Sequence, residues 1–184
     1  MKELQMELLR HGETEAGKCF LGRTDAALTA EGWQQMREGL QGLSPADFDL
    51  IISSPLQRCQ AFAHHWAGPE GFVIDTRLRE YDFGDWDGRT AACIHAEAPE
   101  QLGDFWQDPW HCPPPGAEPL PAFFARLTDV VDELQTRPAE RVLLICHGGV
   151  IRALRCILNG LPVSDMLAFP VAHGSLHRLR DARR

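Results

Sequence analysis

Three stretches of this chain carry residues that can do chemistry together. They are Arg10-His11-Gly12-Glu13-Thr14, Ser53-Ser54-Pro55-Leu56-Gln57-Arg58 and Cys146-His147-Gly148-Gly149. Each follows a short apolar run and leads into a turn or a helix. Two arginines and two histidines gathered beside helix N-termini describe a pocket for an anion, and phosphate suits it best. Arginine offers a planar fork of donors, and the start of a helix offers free N–H groups. Taken singly, the members have plainer readings. A histidine after a strand is commonly a capping or hydrogen-bonding residue, and Arg58 alone reads as a surface residue of its helix. The clustering carries the weight, because the chain as a whole is acidic: 18 Lys and Arg against 26 Asp and Glu, net −8.

For these stretches to meet, the elements between them must form an open sheet whose strand ends share one edge. Leu4, Met6, Leu8 and Leu9 read as a first strand ending near Leu9. Thr29 is placed to cap a helix carrying Trp33, Met36, Leu40 and Leu43 at helical spacing. Asp49-Leu50-Ile51-Ile52-Ser53 reads as a second strand. Ser54-Pro55 is expected to open the next helix, with proline at the tolerated first position, and Phe72-Val73-Ile74 reads as a third strand. A strong helix carries Leu120, Phe123, Phe124, Leu127, Val130, Val131 and Leu134. Arg141-Val142-Leu143-Leu144-Ile145-Cys146 has the continuous apolar character of a strand buried on both faces. Gly148-Gly149 begins a further helix that Gly160 and Pro162 stop. A closing strand pair is expected near 167–171 and 175–179. Strands alternating with helices predict a three-layer α/β/α domain with a mostly parallel central sheet, spanning 1–184. Residues 81–119, rich in proline, read as an irregular insertion with short helices.

Composition excludes several classes. A net negative chain is a poor partner for nucleic acid or an anionic membrane over its whole surface, and neither is expected. No apolar run approaches the ~18 residues of a membrane span, and Met1-Lys2-Glu3-Leu4-Gln5 lacks a signal-peptide core. Six cysteines without a CxxC pair read as reduced thiols, so a cytoplasmic location is expected. His64-His65 and His111-Cys112 lack partners at metal-ligand spacing, so no metal is expected. Neither a Walker A loop nor GxGxxG occurs, which removes nucleotide binding by those routes, and no cofactor is expected. Gly84-Asp85-Trp86-Asp87-Gly88 holds one propeller-like dipeptide with no repeat behind it.

In order along the chain, Leu9-Arg10-His11-Gly12-Glu13-Thr14, Gly22-Arg23-Thr24-Asp25, Leu28-Thr29-Ala30-Glu31-Gly32, Ser53-Ser54-Pro55-Leu56-Gln57-Arg58-Cys59, Leu78-Arg79-Glu80-Tyr81-Asp82-Phe83-Gly84 and Cys146-His147-Gly148-Gly149-Val150-Ile151-Arg152 resemble the signatures of the histidine phosphatase superfamily, which has a phosphoglycerate-mutase-like fold. The resemblance covers the whole chain. It implies that His11 is a nucleophile that takes the phosphoryl group. It implies that Arg10, Arg58 and His147 hold the phosphoryl oxygens, and that Glu80 serves as general acid and then base. Thr14 and the Gly22 backbone are expected to add hydrogen bonds. One departure stands out: many members carry asparagine six residues after the nucleophile, where this chain has Gly17, and Arg23 is the candidate to replace that phosphate contact.

The implied activity is metal-independent hydrolysis of a small phosphate monoester. Mutases of the superfamily are longer, and a chain ending at Arg184 is expected to exclude water less well, which favours hydrolysis. Glu80-Tyr81-Asp82-Phe83-Gly84-Asp85-Trp86-Asp87-Gly88-Arg89, Phe105-Trp106-Gln107-Asp108-Pro109 and Pro114-Pro115-Gly116-Ala117-Glu118 are similar to the α-ribazole phosphatase branch of cobalamin biosynthesis, with Ala117 and Pro119 departing from its pattern. Phe83, Trp86, Phe105, Trp106 and Trp110 are candidates to stack on a planar base, or to pack as the core of the insertion. A broad phosphatase of sugar phosphates and other metabolites, a phosphoglycerate mutase and a non-catalytic phospho-ligand binder are the alternatives. Retention of both His11 and Glu80 weighs against the last.

Overall fold

In the computed structural model, which describes residues 4–180, the apolar runs become five strands of one sheet. They are β1 (Gln5–Arg10), β2 (Leu50–Ser53), β3 (Val73–Ile74), β4 (Arg141–Cys146) and β5 (Leu176–Arg180), in the order β3-β2-β4-β1-β5. The first four are parallel, and β5 runs antiparallel to β1. Six α-helices accompany them: α1 (Ala30–Gly39), α2 (Gln57–Ala67), α3 (Ala91–Glu97), α4 (Pro99–Gln107), α5 (Leu120–Thr136) and α6 (Gly148–Asn159).

The alternation of side chains along β4 explains the layers. Val142, Leu144 and Cys146 enter one core with Phe123, Leu127 and Val131 of α5 and Val150, Ile151 and Leu154 of α6. Leu143 and Ile145 enter the other, with Met36 of α1 and Cys59 and Phe62 of α2. A strand covered on both faces has no need of polar residues, hence the uninterrupted apolar run. A third, small core of Trp86, Ile94, Leu102 and Phe105 lies within residues 81–119.

Register brings the chemically interesting ends together. Arg10 pairs with Cys146, and Ser53 pairs with Ile145. The next residues, His11, His147 and Ser54, therefore leave the same edge of the sheet, where ligands of open α/β folds bind. Among the described residues, no helix is long and apolar enough to cross a membrane.

The local structure departs from expectation in two places. Residues 167–171 are not a strand. Val163–Ala168 is a 3-10 helix, followed by an irregular segment through Pro170, whose missing N–H cannot join a ladder. Among the described residues, β5 is the one strand that follows α6. Helix α2 starts at Gln57 rather than at Ser54-Pro55. Proline keeps the residue before it extended, and the Gln57 N–H is capped from outside by Asp25 Oδ1 at 2.7 Å.

Candidate active site

His11 is held by its own turn. Its Nδ1 lies 2.8 Å from the Gly12 carbonyl and must donate to it, which leaves the Nε2 lone pair free. Gly12 permits this turn because it packs against the first turn of α1: a Cβ there would sit 2.0 Å from the Gly32 carbonyl oxygen. Burial, followed by the nearby Arg58 and Arg10 cations, pushes the His11 pKa well below its usual value. The ring is therefore neutral, as a nitrogen nucleophile must be.

His147 lies edge-on to His11, with ring centroids 5.2 Å apart. Its Nδ1 accepts from Arg58 Nε at 3.3 Å, so Nε2 carries the hydrogen and donates to Ser54 Oγ at 2.7 Å. Burial, then Arg58 and His11, hold its pKa well down. Arg58 is fully buried. It also donates to the carbonyls of Thr24 (2.8 Å), Leu21 (3.1 Å) and Gly22 (3.0 Å). Of its five N–H hydrogens, one on Nη1 is left among the described residues. Arg58 thus ties the 21–24 loop to His147.

A cavity of about 300 Å³ opens in front of His11. Arg10, Thr14, Glu80, Gly148, Gly149 and Arg152 line its polar end. Arg10 donates through Nη1 to the Val171 carbonyl, while its buried Nε has no partner among the described residues. Burial lowers its pKa to about 10, with Glu80 opposing the shift. Glu80 sits at the N-terminus of α6, where its Oε2 accepts from Gly149 N–H at 2.9 Å and its Oε1 from Tyr81 N–H at 2.9 Å. The second glycine of the His-Gly-Gly run is what admits the carboxylate, because a Cβ at Gly149 would lie 2.4 Å from Oε1. Behind Glu80, Arg126 of α5 donates to the Arg79 and Glu80 carbonyls at 2.8 and 3.1 Å and makes a fork-to-fork pair with Glu118. The acid thus stands on a braced backbone.

The other candidates fall differently. Thr14 lines the cavity and is buried. The Gly22 N–H is already donated to Asp87 Oδ1 at 2.7 Å, so that backbone group is not free for phosphate. Arg23 does not line the cavity. Its side chain is 66% exposed, 3.7 Å from Asp82. Asp87, which also accepts from Thr24 N–H, is thus a loop brace within the 84–88 motif. The cavity has an aromatic wall of Phe20, Phe83, Phe105 and Trp106, whose rings contact one another; Met166 and Leu167 also line it. Trp86 is only 3% exposed and packs in the small third core, and Trp110 packs on Phe124. Neither is among the lining residues. Sequence reasoning missed Phe20, Arg152 and His173, all of which line the cavity. Only Arg152 had a signal, standing in the helix that follows His147 and one turn beyond Gly148. Among the described residues, no group of three His, Cys, Asp or Glu side chains could hold a metal.

A family profile described as the histidine phosphatase superfamily (branch 1) matches residues 6–183. The chain belongs to that superfamily. Its relatives include phosphatases and phosphoglycerate mutases. A glucosyl-3-phosphoglycerate phosphatase of Mycolicibacterium vanbaalenii is 35% identical over 95% of this chain and 81% of its own length. An adenosylcobalamin/alpha-ribazole phosphatase of Escherichia coli is 29% identical over 93% and 87%. Among solved structures, the alpha-ribazole phosphatase of Shigella flexneri superposes with a TM-score of 0.80 at 30% identity, covering 95% of this chain and 89% of that one. The phosphoglycerate-mutase-like α/β fold of this superfamily is therefore the fold of this chain.

Proposed function

We propose that the protein hydrolyses a phosphate monoester through a phosphohistidine at His11, and that its preferred substrate is α-ribazole 5′-phosphate. The observation that carries the chemistry is the fixed tautomer of His11, whose free Nε2 shares one cavity with Arg10 and Glu80. In the first step, Nε2 bonds to phosphorus while the bond from phosphorus to the leaving oxygen breaks. Glu80 passes its proton to that oxygen. In the second, water gives a proton to Glu80 and attacks phosphorus, the N–P bond breaks, and inorganic phosphate leaves. His147, fully buried with its Nε2–H held by Ser54, does not line the cavity and acts through its edge-on contact with the His11 ring. Arg10, through its unpartnered Nε, holds the equatorial oxygens, and Arg58, fully buried and not among the lining residues, adds its positive charge beside His11. These groups supply the charge a metal would bring, so the reaction runs without one.

The substrate follows from the aromatic wall of the cavity. Phe20, Phe83, Phe105 and Trp106 present ring surface, which suits a planar base better than a hydroxyl-rich sugar. A second reading, glucosyl-3-phosphoglycerate, has the 35% identity in its favour. Arg152 at the polar end is a cation that its carboxylate would require. The test is a comparison of kcat/KM for α-ribazole 5′-phosphate, glucosyl-3-phosphoglycerate, ribose 5-phosphate and 3-phosphoglycerate. The first should lead. A lead for the glucosyl ester supports the second reading, and equal values support a broad metabolite phosphatase.

A further inference from the structure

The segment after the 3-10 helix brings a third imidazole to the nucleophile. The His173 ring centroid lies 5.6 Å from that of His11, with the planes inclined at 43°, and His173 lines the same cavity. The segment is bound to the residues it faces. Arg10 donates through Nη1 to the Val171 carbonyl and through its backbone N–H to the Ser175 carbonyl, the latter at 3.0 Å. The Gly174 N–H donates to the His11 carbonyl at 3.3 Å. Gly174 has φ +68°, and a Cβ there would meet the Gln35 carbonyl oxygen at 2.4 Å, so the turn has little room to slip. The backbone that carries His173 is thus tied to Arg10 and His11. No hydrogen bond of the His173 ring nitrogens is found among the described residues, and the aromatic ring beside that imidazole is that of His11.

Three candidate phosphate contacts supply no donor to the cavity. Gly17 brings no side chain to it, the Gly22 N–H is spent on Asp87, and Arg23 faces Asp82. The geometry points to His173 as a phosphoryl-binding residue of this site, donating one imidazole N–H to a phosphoryl oxygen beside His11. This inference rests on the phosphohistidine reading above. Burial, followed by Arg10, lowers the His173 pKa to about 4, so at neutral pH it adds a donor without adding a third charge to Arg10 and Arg152. A neutral imidazole can present its hydrogen on either nitrogen, so one of the two always has an N–H to offer.

The experiment is binding of inorganic phosphate and of orthovanadate to the full chain by calorimetry, with wild type, His173→Phe, His173→Ala, His173→Asn and His173→Gln. Phe keeps a ring against His11 and removes the donor; Ala removes both. Asn and Gln return an amide N–H at two different reaches. A hydrogen bond to a charged group is worth about tenfold or more in affinity. Phe and Ala should therefore each weaken both anions by about tenfold or more, and one of the amides should recover most of the loss. If Phe binds both anions as wild type does, or if neither amide improves on Ala, His173 only packs on His11 and the inference is overturned. Should wild type itself bind neither anion, the phosphohistidine reading falls and this inference with it. Anion binding by wild type with no effect in the variants overturns the His173 assignment alone.

Discussion

Replacing Gly149 by Ala should separate catalysis from folding. The added Cβ would lie 2.4 Å from Glu80 Oε1 and 3.1 Å from Cδ, about 1 Å inside ordinary contact. The obstructing atoms are the end of a flexible side chain, so the carboxylate swings away and the backbone stays. The helix itself gains, since alanine is favoured over glycine in a helix by up to about 1 kcal/mol. What is lost is the seat of the acid, including the 2.9 Å bond from Gly149 N–H to Oε2. Misplacing a catalytic group by about 1 Å costs on the order of 100-fold, and a general acid is worth about 10²–10⁴-fold in all. We expect kcat/KM on an alkyl phosphate to fall by about 100-fold or more. On p-nitrophenyl phosphate the fall should be less than tenfold, because nitrophenolate leaves without a proton. Thermal melting should be unchanged or slightly raised. Gly12→Ala is the contrast: its Cβ meets backbone, 2.0 Å from the Gly32 carbonyl oxygen, and the fold should suffer. Equal losses on both substrates, or a Gly149→Ala protein as active as wild type on the alkyl ester, would refute the placement of Glu80 as acid.

Other expectations are as follows. Trp106→Ala should narrow the preference for an aromatic substrate and leave p-nitrophenyl phosphate hydrolysis nearly intact, since Trp106 lines the cavity and is 46% exposed. Trp86→Ala should instead destabilise by about 3–5 kcal/mol in denaturant titration, because Trp86 is core. His11 and His147 have lowered pKa values when folded and ordinary ones, near 6.5, when unfolded. Their contribution is fully present above about pH 6.5 and is lost as pH falls, because only the unfolded chain takes up the protons. The urea midpoint should therefore drop between pH 7 and pH 5; a midpoint that rises would contradict the buried neutral pair. Dialysis against EDTA should leave turnover unchanged, and loss with recovery on adding Mg²⁺ or Zn²⁺ would overturn metal independence.

The parallel core was legible because its signals are local. The 141–146 run, the Thr29 cap, whose Oγ1 does accept from the Gly32 N–H, and the stop at Gly160, which is left-handed, all declare themselves in the chain. The edge that gathers His11 and His147 followed from topology. Residues 167–171 misled because an apolar run reads as a strand wherever periodicity is the only guide. Pro170 and the packing of Met166 on the main core decided otherwise. The polar network was the least legible part. Nothing near Gly22 announces that Asp87, 65 residues away, holds its N–H. Likewise, nothing near His173 announces that Arg10 and His11 hold its segment. Trp86 and Trp106 look equivalent as letters, and only packing tells the core residue from the cavity wall.

The central claim, that His11 carries the phosphoryl group, is tested most directly by rapid acid-free quench of the enzyme with ³²P-labelled substrate. Wild type should yield protein-bound label that survives base and is released by acid, mapping to His11, and His11→Ala should yield none. Label that survives acid, or label undiminished in His11→Ala, would contradict the account.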